Sequence, residues 1–211
     1  MAQETFDFGN GPVPAHRHKN PNGSEGGWVA ETARVAETVY VGKDARIWDR
    51  ARISDNVRIS DNVRIFNNAR IFDDVRIFDD VRIFGNAQIF GNARICDNAQ
   101  IWDNAWIFGN ARISGKTRIF GNAWIRGSVK ISRTEQVLTI APIGSGGATL
   151  TVVFDGDGEI YFGRGCFWGT LAEFREAVER KPEGDKHREI YSFAIEFIQK
   201  IRQFKRGDNN D

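Results

Sequence analysis

The stretch Ile83-Phe84-Gly85-Asn86-Ala87-Gln88-Ile89-Phe90-Gly91-Asn92-Ala93-Arg94 holds the same six-residue unit twice. Outward from it the unit continues in both directions. Val29, Val35 and Val41 are followed by Ile47 and then by isoleucine at every sixth position through Ile131, which makes 18 hexads. Four positions after each lead, from Ala33 to Val129, the residue is Ala, Val or Thr in all 17 cases. A spacing of six does not fit the 3.6-residue period of a helix face, whereas a small residue two before each isoleucine is strand alternation. The short strand is Ala-Arg-Ile-Phe, with Ala and Ile inward and Arg and Phe outward. Gly-Asn, Asp-Asn and Asp-Asp supply the corners, because these residues enter left-handed backbone conformations at low cost. The expected fold is an all-β solenoid.

The residue after each lead shows how many hexads close one coil. Taken every third hexad, one set reads Ala30, Trp48, Phe66, Phe84, Trp102, Phe120, and a second reads Ala36, Ser54, Phe72, Phe90, Phe108, Arg126. The third reads Gly42, Ser60, Phe78, Cys96, Ser114, Ser132. Taking every second hexad mixes Phe with Ser in both sets. A three-sided coil of 18 residues is therefore predicted, with about six coils and a height of roughly 29 Å at ~4.8 Å per strand.

The repeat Ile-x-Gly/Asp-Asn-Ala/Val-x resembles the hexapeptide repeat of left-handed parallel β-helix proteins, best known in bacterial acyltransferases. The chain as a whole is similar to uncharacterised hexapeptide-repeat proteins of phages and prophages. The similarity extends to Phe6-Asp7-Phe8-Gly9-Asn10-Gly11 and Gly26-Gly27-Trp28-Val29 near the start. It also covers Val137-Leu138-Thr139-Ile140-Ala141-Pro142-Ile143-Gly144-Ser145 and Gly165-Cys166-Phe167-Trp168-Gly169-Thr170-Leu171. The resemblance implies left-handed winding and supplies a fold, but no established activity.

Residues 1–28 hold three of the five prolines and read as an irregular cap over the first coil; 29–136 are the repeat. Beyond Ile131 the register fails, and a small α+β domain is expected over 137–205. Val137–Ile143 and Ala148–Phe154 alternate like strands, Asp155-Gly156-Asp157-Gly158 is a hairpin turn, and Glu159–Phe162 returns. Thr170-Leu171-Ala172-Glu173 is a capping box that opens a helix. A second helix follows Gly184-Asp185, with Ile190, Phe193, Ala194, Phe197, Ile198 and Ile201 as its expected core stripe. Residues 206–211 are read as a polar tail.

Composition excludes several function classes. With 29 Lys+Arg against 28 Asp+Glu, the net charge is +1, so neither an acidic nucleic-acid mimic nor a globally basic binder fits. No window approaches 18 uninterrupted apolar residues, so no membrane partner is expected. The N-terminus lacks a basic start followed by an apolar run. Two cysteines, Cys96 and Cys166, are too few for a disulfide framework. The expected location is the cytoplasm, that of a host cell if a phage encodes the chain.

Four groups of residues are candidates for function. The ladder Trp48, Phe66, Phe84, Trp102, Phe120 is a candidate interface, since monomers rarely leave apolar patches beyond a few hundred Å² exposed. Ring stacking along the solenoid is the structural alternative. Arg58, Arg76, Arg94, Arg112 and Lys130 form a possible polyanion strip. Like charges about 4.8 Å apart repel by around 1 kcal/mol even in water, so the strip needs compensation. The structural alternative assigns that role to the corner residues Asp55, Asp61, Asp73, Asp79, Asp97 and Asp103. Cys166 with His187 is the one thiol–imidazole option, Cys166 lying shortly before a helix start. His16-Arg17-His18 offers two imidazoles but no acidic or thiol ligand at metal spacing, and reads as a solvated loop. No metal and no cofactor is expected.

The leading expectation is a non-catalytic scaffold or interaction protein that self-associates and binds another macromolecule. A nucleic-acid or other polyanion module is the alternative. An acyltransferase-like enzyme is the third: enzymes of this helix generally use a histidine base and a loop between coils, whereas hexads 29–132 contain neither.

Overall fold

The structure is a computed structural model, and it describes residues 4–182 and 184–207. An N-terminal meander of β1 (Thr5–Asp7), β2 (Pro12–Lys19) and β3 (Glu25–Ala30) leads into the repeat. Seventeen two-residue strands follow, from β4 (Arg34–Val35) to β20 (Lys130–Ile131). All but the last three pair in parallel with the strand 18 residues on, as Ile59 does with Ile77 and Ile77 with Ile95. Three parallel sheets result, one per face, so the repeat is a three-sided solenoid of about six coils.

The interior follows the alternation. Ile47 to Ile131 are at most 2% exposed at every lead position, and the Ala and Val of the small slots are buried with them. Thr117 is the one hydroxyl in those slots, and it donates to the Ser114 carbonyl at 2.6 Å, which removes the penalty of burying it. The corners take positive φ, from 57° at Asp61 to 66° at Asp79, with glycine in the same role at Gly85 and Gly91.

The N-terminal segment, expected to be irregular, is extended chain instead. Pro12 and Pro14 stand two apart in β2, so their missing N–H groups fall on one edge and leave the other free to pair. Gly27 in β3 lies against the next coil, where a Cβ would collide with the Ala45 carbonyl.

The cap is built from polar side chains that replace absent rungs. The open N-terminal edge of the solenoid presents backbone groups of Val39 and Val41. The His18 Nε2 meets the Val39 carbonyl at 2.9 Å, and the buried Asn20 amide serves Val41. Burial of His18 lowers its pKa, and its hydrogen bond to Val39 works against that shift.

After the solenoid come β21 (Val137–Ile143), β22 (Ala148–Phe154), β23 (Ile160–Arg164) and β24 (Phe167–Thr170), an antiparallel sheet with α1 (Leu171–Glu179) and α2 (Lys186–Gly207) packed on it. The sequence reading gave three of those strands; β24 is short and runs directly into the helix cap. Val153 joins the solenoid core, with Val137, Tyr161 and Trp168 packed against it. Terminal N–H groups on all three faces of the solenoid are met by side chains of this region. Arg118 donates to Thr134 Oγ1 and Trp124 to Thr151 Oγ1, both at 2.9 Å, and Lys130 donates to Asp155 Oδ1. The Ser132 N–H is met as well, by Gln136 Oε1 at 2.9 Å.

Two expectations about α2 are corrected. Its buried face is Tyr191, Ala194, Ile195 and Ile198, whereas Ile190, Phe193 and Phe197 are 42%, 69% and 53% exposed. Apolar residues wrap more of this helix than the sheet and α1 can cover, so periodicity could not say which arc faces inward. The helix also runs on through Gly207 rather than yielding to a tail at 206. The rest of that expected tail, 208–211, lies outside the described residues.

Candidate interaction surfaces

The aromatic ladder is a stack. Ring centroids are 4.4 Å apart for Trp48–Phe66, 4.9 Å for Phe66–Phe84, 5.6 Å for Phe84–Trp102 and 4.9 Å for Trp102–Phe120. All four pairs lie within 13° of parallel, and Phe8 continues the stack over Trp48 at 5.3 Å. Stacking covers the ring faces and leaves the edges outward. Trp48, Phe66, Phe84 and Trp102 are partly buried, while Phe120 at the end is 48% exposed. A second stack, Phe72–Phe90–Phe108, follows the neighbouring corner.

The basic strip is in register on one sheet, with Arg58 opposite Arg76, Arg76 opposite Arg94, Arg94 opposite Arg112, and Arg112 opposite Lys130. All five side chains are exposed. Lys130 pairs with Asp157 at 2.7 Å. Among the described residues no carboxylate lies within ion-pair distance of Arg58, Arg76, Arg94 or Arg112.

The expected pairing of the corner aspartates with these arginines is therefore not what the structure has. Each of those carboxylates is short and sits on a residue of positive φ, which aims it along the stack at the next corner. Asp61 Oδ2 accepts from the Asp79 N–H at 3.3 Å, Asp79 from Asp97 at 3.1 Å, and Asp97 from Gly115 at 2.7 Å. Asp55, Asp73 and Asp103 do the same for Asp73, Gly91 and Gly121. Arg58, Arg76, Arg94 and Arg112 are left without carboxylate partners among the described residues.

Asp79, Cys96 and Asp97 bring three potential ligand atoms within 4.8 Å of one another. The thiol is turned away from that chemistry. Burial first, and then the Asp97 and Asp79 carboxylates, push the Cys96 pKa up to about 11, so the sulfur keeps its proton and donates toward Asp97.

Cys166 and His187 are not brought together by any hydrogen bond among the described residues. Cys166 is exposed in the turn between β23 and β24, and that strand separates it from the helix start. The N-terminus of α1 is already occupied: Thr170 Oγ1 accepts from the Glu173 N–H, and the Glu173 carboxylate returns to the Thr170 N–H at 2.7 Å. Those bonds to Thr170 hold the Glu173 pKa down. His187 lies in the first turn of α2, its Nδ1 buried without a partner among the described residues. His16 pairs with Glu31 at 2.6 Å and His18 with Val39, so both imidazoles of β2 are engaged within the cap.

Sequence reading missed one feature. A cleft of about 470 Å³ opens between the last coils and the β21–β22 turn, lined by Trp106, Trp124, Asn104, Asn122 and Thr149 among others. Its signal was present: tryptophan replaces arginine at positions 106 and 124 of one face.

The class these observations define is a three-sided parallel β-solenoid with in-register aromatic and basic ladders, closed by a small α+β cap. No protein-family model matches the chain, and no curated protein does. Among the described residues no helix is long and apolar enough to cross a membrane.

Proposed function

We propose that this chain is a non-catalytic scaffold that self-associates through the face carrying Trp48, Phe66, Phe84, Trp102 and Phe120 and holds a second macromolecule. In this reading it is a left-handed hexapeptide-repeat protein akin to those of phages, acting on a host target in the host cytoplasm. The observation that supports it is the unbroken ring stack, whose outward edges form one apolar ridge along the solenoid. A second copy would remove that ridge from water, at about 25 cal/mol per Å² of apolar surface. Light scattering at tens of micromolar tests it: a dimer or larger assembly is expected, falling to a monomer in Phe84→Lys/Trp102→Lys. A monomeric wild type, or a double variant of unchanged mass, refutes it.

A second reading is supported by the guanidinium groups of Arg58, Arg76, Arg94 and Arg112, which have no carboxylate partner among the described residues. Four in-register cations without carboxylate partners suit a linear polyanion, whose phosphates would replace the missing counter-charges. Anisotropy with labelled single-stranded DNA then shows binding that weakens steeply with salt and is lost in Arg76→Glu/Arg94→Glu. Absence of binding at low salt leaves the strip without a nucleic-acid role.

A further inference from the structure

We propose that the cleft at the junction of the solenoid and the C-terminal sheet binds one unit of a neutral oligosaccharide. Trp106 and Trp124 are adjacent rungs of the same sheet, so both indoles border one opening. Trp106 is 40% exposed, and the slot it fills is arginine at Arg52 and Arg70. Aromatic surface left open beside a concavity of this size is what a flat apolar ring face requires.

The polar groups of the cleft are donors of a particular kind. Asn68, Asn86, Asn104 and Asn122 form a head-to-tail amide ladder, each Nδ2 donating to the next Oδ1 at 3.2, 3.1 and 3.1 Å. All three bonds run the same way, so each polarises the next. Asn122 ends the series at the cleft wall: its Oδ1 is occupied by Asn104, and its Nδ2 donates to nothing among the described residues. The Trp124 Nε1, buried without an acceptor among the described residues, is not open to a ligand there.

Charge decides the ligand class. Among the described residues that line the cleft, from Asn104 to Gly165, none carries an ionisable side chain. A phosphate or sulfate brought there would lose its hydration without gaining a cation, so nucleotides and acidic glycans are disfavoured. A neutral sugar ring satisfies every feature. Its C–H face lies on indole, and a hydroxyl oxygen accepts from the Asn122 amide.

The test is calorimetric titration of the full chain with maltopentaose, cellopentaose and tri-N-acetylchitotriose, and with AMP as the anionic aromatic control. At least one neutral sugar is expected to bind with a Kd below about 1 mM. Trp106→Ala and Asn122→Ala should each weaken it about tenfold or more, while thermal unfolding stays near that of the wild type because both side chains are exposed. Arg76→Glu/Arg94→Glu should leave sugar binding unchanged, which separates this site from the basic strip. Failure of all three sugars to bind at about 10 mM, binding that survives Trp106→Ala, or tighter binding of AMP each overturns the proposal.

Discussion

The side-chain amide of Asn20 holds the backbone of Val41 through both of its groups. Oδ1 accepts from the Val41 N–H at 2.8 Å, and Nδ2 donates to the Val41 carbonyl at 3.1 Å. An asparagine side chain here copies the peptide group that a preceding coil would have presented. It is 3% exposed, so water cannot take over the role.

Asn20→Asp should accordingly destabilise the N-terminal coils although it changes no volume. The carboxylate keeps the acceptor for the Val41 N–H but sets oxygen against oxygen at the carbonyl. A loss of about 1–3 kcal/mol is expected, and Asn20→Ala should cost a similar amount by orphaning both backbone groups. Amide hydrogen exchange of 39–47 measures it; unchanged protection in Asn20→Asp would show that the amide is not the rung it copies.

At the other end the acceptors come from the C-terminal region. Thr151 is fully buried, and its hydroxyl takes the Trp124 N–H. Thr151→Val keeps the shape and removes that acceptor, for an expected loss of about 1–3 kcal/mol in thermal or urea unfolding. Deleting 137–211 removes Thr151 and Asp155 together and uncovers the last coil's apolar end, so the truncated chain should aggregate where the full chain stays dispersed. A soluble, cooperatively unfolding 1–136 fragment would show that the solenoid closes itself.

The two thiols should differ in reactivity. Cys96 titrates at about 11, so at pH 8 roughly one molecule in a thousand carries the thiolate there. Iodoacetamide should modify the exposed Cys166 first, and modification of Cys96 should accelerate roughly tenfold per pH unit. The linkage to stability has a definite sign. The folded pKa lies above the ordinary 9.0, so the contribution is complete below pH 9 and is lost as pH rises through about 11. Asp97→Asn should lower the Cys96 pKa while keeping the corner acceptor, as Asn67 does for the Gly85 N–H. Equal alkylation rates for the two cysteines at pH 8 would contradict the assignment.

Reading Ile83–Arg94 and its copies was enough to fix the number of sides, the in–out pattern and the ladders. Every contact of that kind links a residue to its counterpart 18 positions on, as Arg76 is linked to Arg94, so the period already contains the tertiary neighbour. The aperiodic ends held no such information. Pro12 and Pro14 signalled loop although their spacing suits a strand, and the buried arc of α2 was set by what α1 and the sheet could cover. The corner aspartates were matched to arginine by charge alone. Backbone φ turned them instead toward N–H groups one coil away, leaving Arg58, Arg76, Arg94 and Arg112 without a carboxylate partner among the described residues. The pairing of Thr151 with Trp124, 27 residues apart, depends on how the cap docks, as does the cleft beside Trp106. A repeat writes its own neighbours into the chain, whereas contacts between unlike segments are chosen by shape and by the need to satisfy each buried polar group once the parts have met.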